Sequence, residues 1–154
     1  MIKASKDPHK RGRYGNAKTG KFFMSHPEKF CGAQAPEYKS ELELLFMKYA
    51  DSSPAVLSWG YETSVIRYLD ESQYPAKVRR YFIDFVCKVK AADGGVKTVW
   101  VEIKPEKEAS RPSRKCCKET MLTWVRNQCK WKAARQLAAA KGYEFKVLTE
   151  RQLK

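Results

Sequence analysis

The chain has 154 residues and a formal net charge of +14, from 31 Lys and Arg against 17 Asp and Glu. That length suits one domain with modest extensions, and an excess of charge this large repels itself unless a polyanion binds, which puts nucleic acid ahead of an acidic membrane surface. No apolar run reaches the ~18 residues of a membrane-spanning helix, and Met1-Ile2-Lys3-Ala4-Ser5-Lys6 lacks the apolar core of a signal peptide, so a cytosolic chain without a membrane role is expected.

Residues 1–30 are basic and poor in aliphatics. Over residues 1–21, Lys3, Lys6, Lys10, Arg11, Arg13, Lys18 and Lys21 face a single acid, Asp7. The segment 1–36 reads as a basic arm ahead of a domain over 37–154, with Lys10, Arg11 and Arg13 as phosphate contacts. Tyr14, Phe22, Phe23 and Phe30 could stack on bases or dock back on the core. A helix is predicted from Tyr38 to Ala50, capped by Ser40, with Glu41 and Glu43 in the favoured first turn. Leu42, Leu45, Phe46 and Tyr49 recur at helical spacing and should face the core. Ala55–Trp59 and Tyr61–Leu69 read as two strands, and Asp70–Lys77 as a loop. Pro105–Lys118 reads as a mobile polar loop. A long helix from Glu119 to Lys141 should bury Leu122, Val125, Cys129, Ala133 and Leu137, with Gly142 capping its end. On it Arg126, Asn127 and Lys130 can share a phosphate-holding face, while Trp124 and Trp131 suit packing. Tyr143–Leu148 closes the chain as a strand, and Thr149 caps a terminal turn. This order gives a mixed α/β layer, a sheet carrying helices.

The five cysteines, Cys31, Cys87, Cys116, Cys117 and Cys129, are odd in number and form no C-x-x-C. They suit a reduced compartment rather than a disulfide framework or a zinc site, with Cys87 and Cys129 as small core residues.

The richest stretch is a hairpin. Arg79–Val89 and Val96–Pro105 are strand-like and flank Ala91-Ala92-Asp93-Gly94-Gly95, a turn sequence. A turn centred on Asp93 sets Asp84 opposite Glu102, and directly opposed residues share a face with Cβ atoms ~4.5–5.5 Å apart. Lys104, two residues on, projects from that same face. A carboxylate between Ile83 and Phe85 is costly unless it is paired or binds metal. Two carboxylates with an ammonium beside them are what phosphodiester hydrolysis needs. The acids and the Ile103 carbonyl would hold Mg²⁺ or Mn²⁺, and Lys104 would orient or help deprotonate a water. A third acid could come from the first helix, and spacing does not choose between Glu41 and Glu43.

These residues resemble the PD-(D/E)xK nuclease superfamily, nearest its TnsA-like branch. The branch carries a helix opening Ser-x-x-Glu, a Tyr-x-x-Asp-Phe strand and a Glu-x-Lys-Pro strand. Here these are Ser40–Glu43, Tyr81–Phe85 and Glu102–Pro105. Ile83 stands where the signature has Pro. The resemblance selects Glu43, and implies a restriction-endonuclease-like α/β fold with a mixed sheet flanked by helices. It implies a catalytic set of Glu43, Asp84, Glu102 and Lys104. More narrowly, the chain is similar to the head completion nucleases of T4-like tailed phages. That implies Mg²⁺-dependent cleavage of packaged DNA before heads join tails, partnership with head, portal or neck proteins, and a place in the host cytoplasm or with the virion. The alternatives are a transposition or repair endonuclease or junction resolvase of the same superfamily, and a non-catalytic DNA-binding head plug.

Overall fold

The Gly-rich turn works as its chemistry requires. Ala91 N–H donates to the Gly95 carbonyl at 2.8 Å, and Gly94 sits at φ 85°, where a side chain would be strained. In the computed structural model, which describes residues 19–154, this turn joins β4 (Lys77–Lys90) to β5 (Val96–Ile103). Two short strands, β1 (Gly20–Lys21) and β2 (Glu37–Tyr38), precede helix α1 (Glu41–Ser52) and the long strand β3 (Val56–Asp70). After β5 come α2 (Glu106–Ala109), α3 (Lys118–Lys141), β6 (Glu144–Leu148) and α4 (Glu150–Leu153). The main sheet runs β3-β4-β5-β6, antiparallel except for the parallel β5–β6 pair that α3 connects.

Alternation along β5 shows where the two layers lie. Val99, Val101 and Ile103 pack in one cluster with Phe46, Met47 and Ala50 of α1, while Trp100 joins Trp131, Ala134 and Ala138 of α3 in a second. The sheet is thus flanked by α1 on one face and α3 on the other. Trp59, fully buried, anchors the first cluster against Phe85 and also takes the rings of Phe22 and Phe30 at centroid distances of 6.3 and 4.6 Å. Docking on the core is therefore the arrangement for Phe22 and Phe30, whereas Phe23 is exposed. Tyr14, with Lys10, Arg11 and Arg13, lies outside the described residues.

Several expectations are corrected. The two strands expected around Gly60 are one, because β3 absorbs the irregularity as a bulge between Tyr61 and Ser64, with Glu62 at φ 53°. Asp70 closes that strand and is fully buried rather than part of a loop. On α1 the core face is Phe46, Met47 and Ala50, and Tyr49 is half exposed. On α3 the stripe is rotated. Trp131, Ala134 and Ala138 are buried and Leu137 is exposed, because the small alanines let the helix lie close to the sheet. The segment 105–118 contains the helical turn α2. Ser40, Gly142 and Thr149 cap as expected. Glu43 N–H donates to Ser40 Oγ, Gly142 takes the left-handed conformation at φ 74°, and Thr149 forms a capping box with Gln152. Cys87 is buried, and the described cysteines are free thiols.

Candidate active site

The bulge decides where Asp84 stands. Tyr61 pairs with Phe85 and Ser64 with Ile83, so three residues of β3 advance against two of β4. One extra residue on one strand shifts its alternation relative to that of its partner. Accordingly Tyr81 and Ile83 pack with α3, while Phe85 and Cys87, of the same parity, pack with α1. Asp84 lies at the changeover, within reach of both layers, and is half-buried rather than sealed in the interior.

The β4–β5 pairing runs from Lys90↔Val96 to Phe85↔Val101 and ends there, leaving Asp84 and Glu102 one step beyond the last pair. Asp84 Oδ2 accepts the Ile103 N–H at 2.8 Å. Glu102, 3% exposed, accepts the Tyr81 hydroxyl on Oε2 at 2.5 Å and has Lys104 Nζ 3.7 Å from Oε1. Glu43 approaches from α1. Its Oε2 accepts the Lys39 N–H at 2.7 Å and the Tyr61 hydroxyl at 3.1 Å. The electrostatics tie the three acids together. Burial first, then the charges of Glu102 and Glu43, hold Asp84 well above the usual carboxylate range, against the Ile103 N–H and Lys104. Burial likewise raises Glu43, although Lys39 and Tyr61 oppose it. Lys130 reaches the site from α3. Its ammonium is 5.5 Å from the Tyr81 ring centroid, and burial lowers its pKa against the pull of Glu102.

Glu43, Asp84, Glu102, Ile103, Lys104 and Lys130 are thus brought into one neighbourhood. Arg126 is held by Asp70, Nε to Oδ2 at 3.2 Å, and Asn127 is buried beside Trp124 at a separate concavity. Trp131 is buried as packing. The two hydroxyls that fix the carboxylates, Tyr61 and Tyr81, were not singled out from the sequence. Tyr81 heads the Tyr-x-x-Asp motif and was legible there, while nothing local marked Tyr61.

The donor set suits a hard divalent cation. Asp84 Oδ1 takes no hydrogen bond among the described residues, Glu102 Oε1 meets only Lys104, and the other oxygen of each acid is held by the protein. Among the described residues no three His, Cys, Asp or Glu side chains form a ready-made cage. Two carboxylates with a carbonyl match an ion that keeps most of its waters. The profile of the family described as TnsA-like endonuclease N terminal matches residues 53–150, a span that includes Asp84, Glu102, Lys104 and Lys130. The chain belongs to the TnsA-like endonuclease family. It is also similar to the head completion nuclease of Enterobacteria phage T4, at 34% identity over 144 residues, covering 87% of this chain and 92% of that protein. Asp84 lies on β4, Glu102 lies on β5 and Lys104 follows one residue after β5 ends, the two strands being joined by one hairpin. No helix among the described residues is long and apolar enough to cross a membrane.

Proposed function

We propose that this chain is a divalent-metal-dependent DNase that cuts DNA phosphodiester bonds during phage head completion, acting on packaged DNA before heads join tails. The supporting observation is the meeting of Asp84, Glu102 and Lys104 at the changeover point of β4. Asp84, Glu102 and the Ile103 carbonyl would hold Mg²⁺ or Mn²⁺, with Glu43 completing the set directly or through water. The bound ion would supply Lewis-acid stabilisation of charge developing on the phosphate. Lys104, beside Glu102, orients the attacking water and offsets charge in the transition state. Tyr81 and Tyr61 lock the rotamers of Glu102 and Glu43, so the acids need no reorganisation when substrate arrives. Lys130 holds a neighbouring phosphate. Lys10, Arg11 and Arg13, in an arm over 1–36 ahead of a nuclease domain over 37–154, add sequence-independent backbone contacts, with Arg126 and Asn127 further along. Partners would be head, portal or neck proteins in the host cytoplasm.

Covalently closed and linear DNA, each incubated with the purified protein and Mg²⁺ or EDTA, test this. Cutting should require the metal. Asp84→Ala, Glu102→Ala and Lys104→Ala should each abolish cutting and leave DNA binding largely intact. Full activity in all three would refute the assignment.

A further inference from the structure

β4 pairs with β3 from Lys77 onward but with β5 only from Phe85 onward. Ser64–Asp70 and Lys77–Ile83 therefore continue past the four-stranded sheet as a two-stranded ribbon. One face packs on α3 through Ile66, Tyr68 and Tyr81. The other carries three directly opposed pairs, Val65 with Phe82, Arg67 with Arg80, and Leu69 with Val78. Their apolar members are open to solvent, with relative exposures of 47% for Val65, 44% for Phe82, 49% for Leu69 and 66% for Val78.

Charge indicates what covers this face. Arg67 and Arg80 stand opposite each other, an arrangement that destabilises a sheet unless an anion lies over it. Neither meets a carboxylate among the described residues, and the Arg80 guanidinium lies over the Phe82 ring at 5.8 Å. The free edge of β4 also opens into a concavity of about 610 Å³ lined by Arg79, Arg80, Arg126 and Lys130 with Phe82, and no acid lines it. Asp70, fully buried beneath, is held by Arg79 and Arg126. Through Lys130 this basic track joins the Glu102–Lys104 site.

A second copy of the chain fits poorly, because a two-fold contact would press one arginine pair against the other. A DNA duplex offers phosphates but leaves the four apolar side chains uncovered. An unpaired strand offers both phosphates and bare base faces, the combination that positively charged, ring-bearing grooves take. We propose that the outer face of the β3–β4 ribbon binds an unpaired DNA strand leading away from the scissile bond. Its bases lie on Phe82 and the neighbouring apolar side chains, and its phosphates on Arg67 and Arg80. This rests on the DNase reading of the site and adds a substrate class to it: DNA with a single-stranded arm beside the cut.

Fluorescence anisotropy in EDTA tests it, with labelled oligothymidine and a blunt duplex of equal length titrated across a salt series. Phe82→Ala should weaken oligothymidine binding about ten-fold, the scale of one lost base stack, and lower the single-strand to duplex affinity ratio. Phe82→Leu keeps the packing against Val65 without the ring and should show a loss of the same order. Arg67→Ala combined with Arg80→Ala should shrink the single-strand salt slope by about 1.4, roughly 0.7 for each phosphate contact. Unchanged single-strand affinity, or an equal loss on both DNA forms, overturns the proposal. Metal-dependent cutting by the wild-type protein, measured in parallel, separates the two readings. Cutting alongside unaltered single-strand binding in the variants overturns the ribbon assignment alone, and absence of both cutting and DNA binding overturns both.

Discussion

Replacing Asp84 with Asn should destroy activity and yet stabilise the metal-free protein. The side chain lies one step beyond the last β4–β5 pair and meets the charge of Glu102, and two unit charges at about 5–6 Å interact by roughly 3 kcal/mol at an effective dielectric of 20. An amide oxygen can still accept the Ile103 N–H, now at 2.8 Å. It gives up the charge assistance in that bond and the attraction of Lys104, together about 1–2 kcal/mol. The net gain is about 1–2 kcal/mol, or roughly 3–6 °C in Tm for a domain of this size. The pH dependence fixes the sign. Burial and the Glu102 and Glu43 charges raise Asp84 in the folded state, so its penalty is absent below the unfolded value, grows as pH rises toward the folded value and is full above it. Thermal melts in EDTA should therefore show the variant matching wild type near pH 4 and exceeding it at about pH 8. Adding Mg²⁺ should raise the wild-type Tm more than that of the variant. A variant less stable than wild type at alkaline pH in EDTA, or a gain equal at every pH, would refute this account of the site.

Lys104→Met should lower the plasmid-cutting rate by about 10²–10⁴-fold, the usual scale for a proton-handling group, with DNA affinity by anisotropy changed far less. Asp70→Asn should destabilise the protein by about 1.5–3 kcal/mol near neutral pH, because the half-exposed Arg79 and Arg126 give up charge-assisted bonds to a buried carboxylate. Burial works against the Asp70 charge, but Ser72 and Arg126 outweigh it and hold its pKa below the usual value. The deficit should thus fade as pH falls through that depressed pKa, as read by urea denaturation across a pH series. Trp59→Ala should cost about 3–5 kcal/mol in the same assay, since the fully buried ring supports Phe22, Phe30 and Phe85.

The centre of the site was legible because the hairpin is local. Once Asp93-Gly94-Gly95 places the turn, antiparallel pairing dictates that 84 meets 102, and no tertiary information is needed. Helix caps at Ser40, Gly142 and Thr149 were readable for the same reason. What escaped depends on packing. Large aliphatics suggested that Leu122, Val125 and Leu137 face inward, but α3 approaches the sheet through Ala134 and Ala138, where small size matters more than hydropathy. Gly60 suggested a strand break, whereas the chain continues and takes up the irregularity two residues later. Asp70 looked like a loop residue because its partners, Arg79 and Arg126, are 9 and 56 positions away and only the folded hairpin and α3 bring them to it. Tyr61 escaped in the same way, since its partner Glu43 sits on a separate helix.

The extra residue in β3 has a mechanical consequence. Glu43 is carried by one helical layer and Lys130 by the other, and the strand that hands its buried residues across at position 84 is the seam joining them. Slippage of either helix against the sheet would move one side of the proposed site relative to the other. Core substitutions as distant as Met47 or Ala138 would then reach the chemistry through that seam without touching any group that performs it.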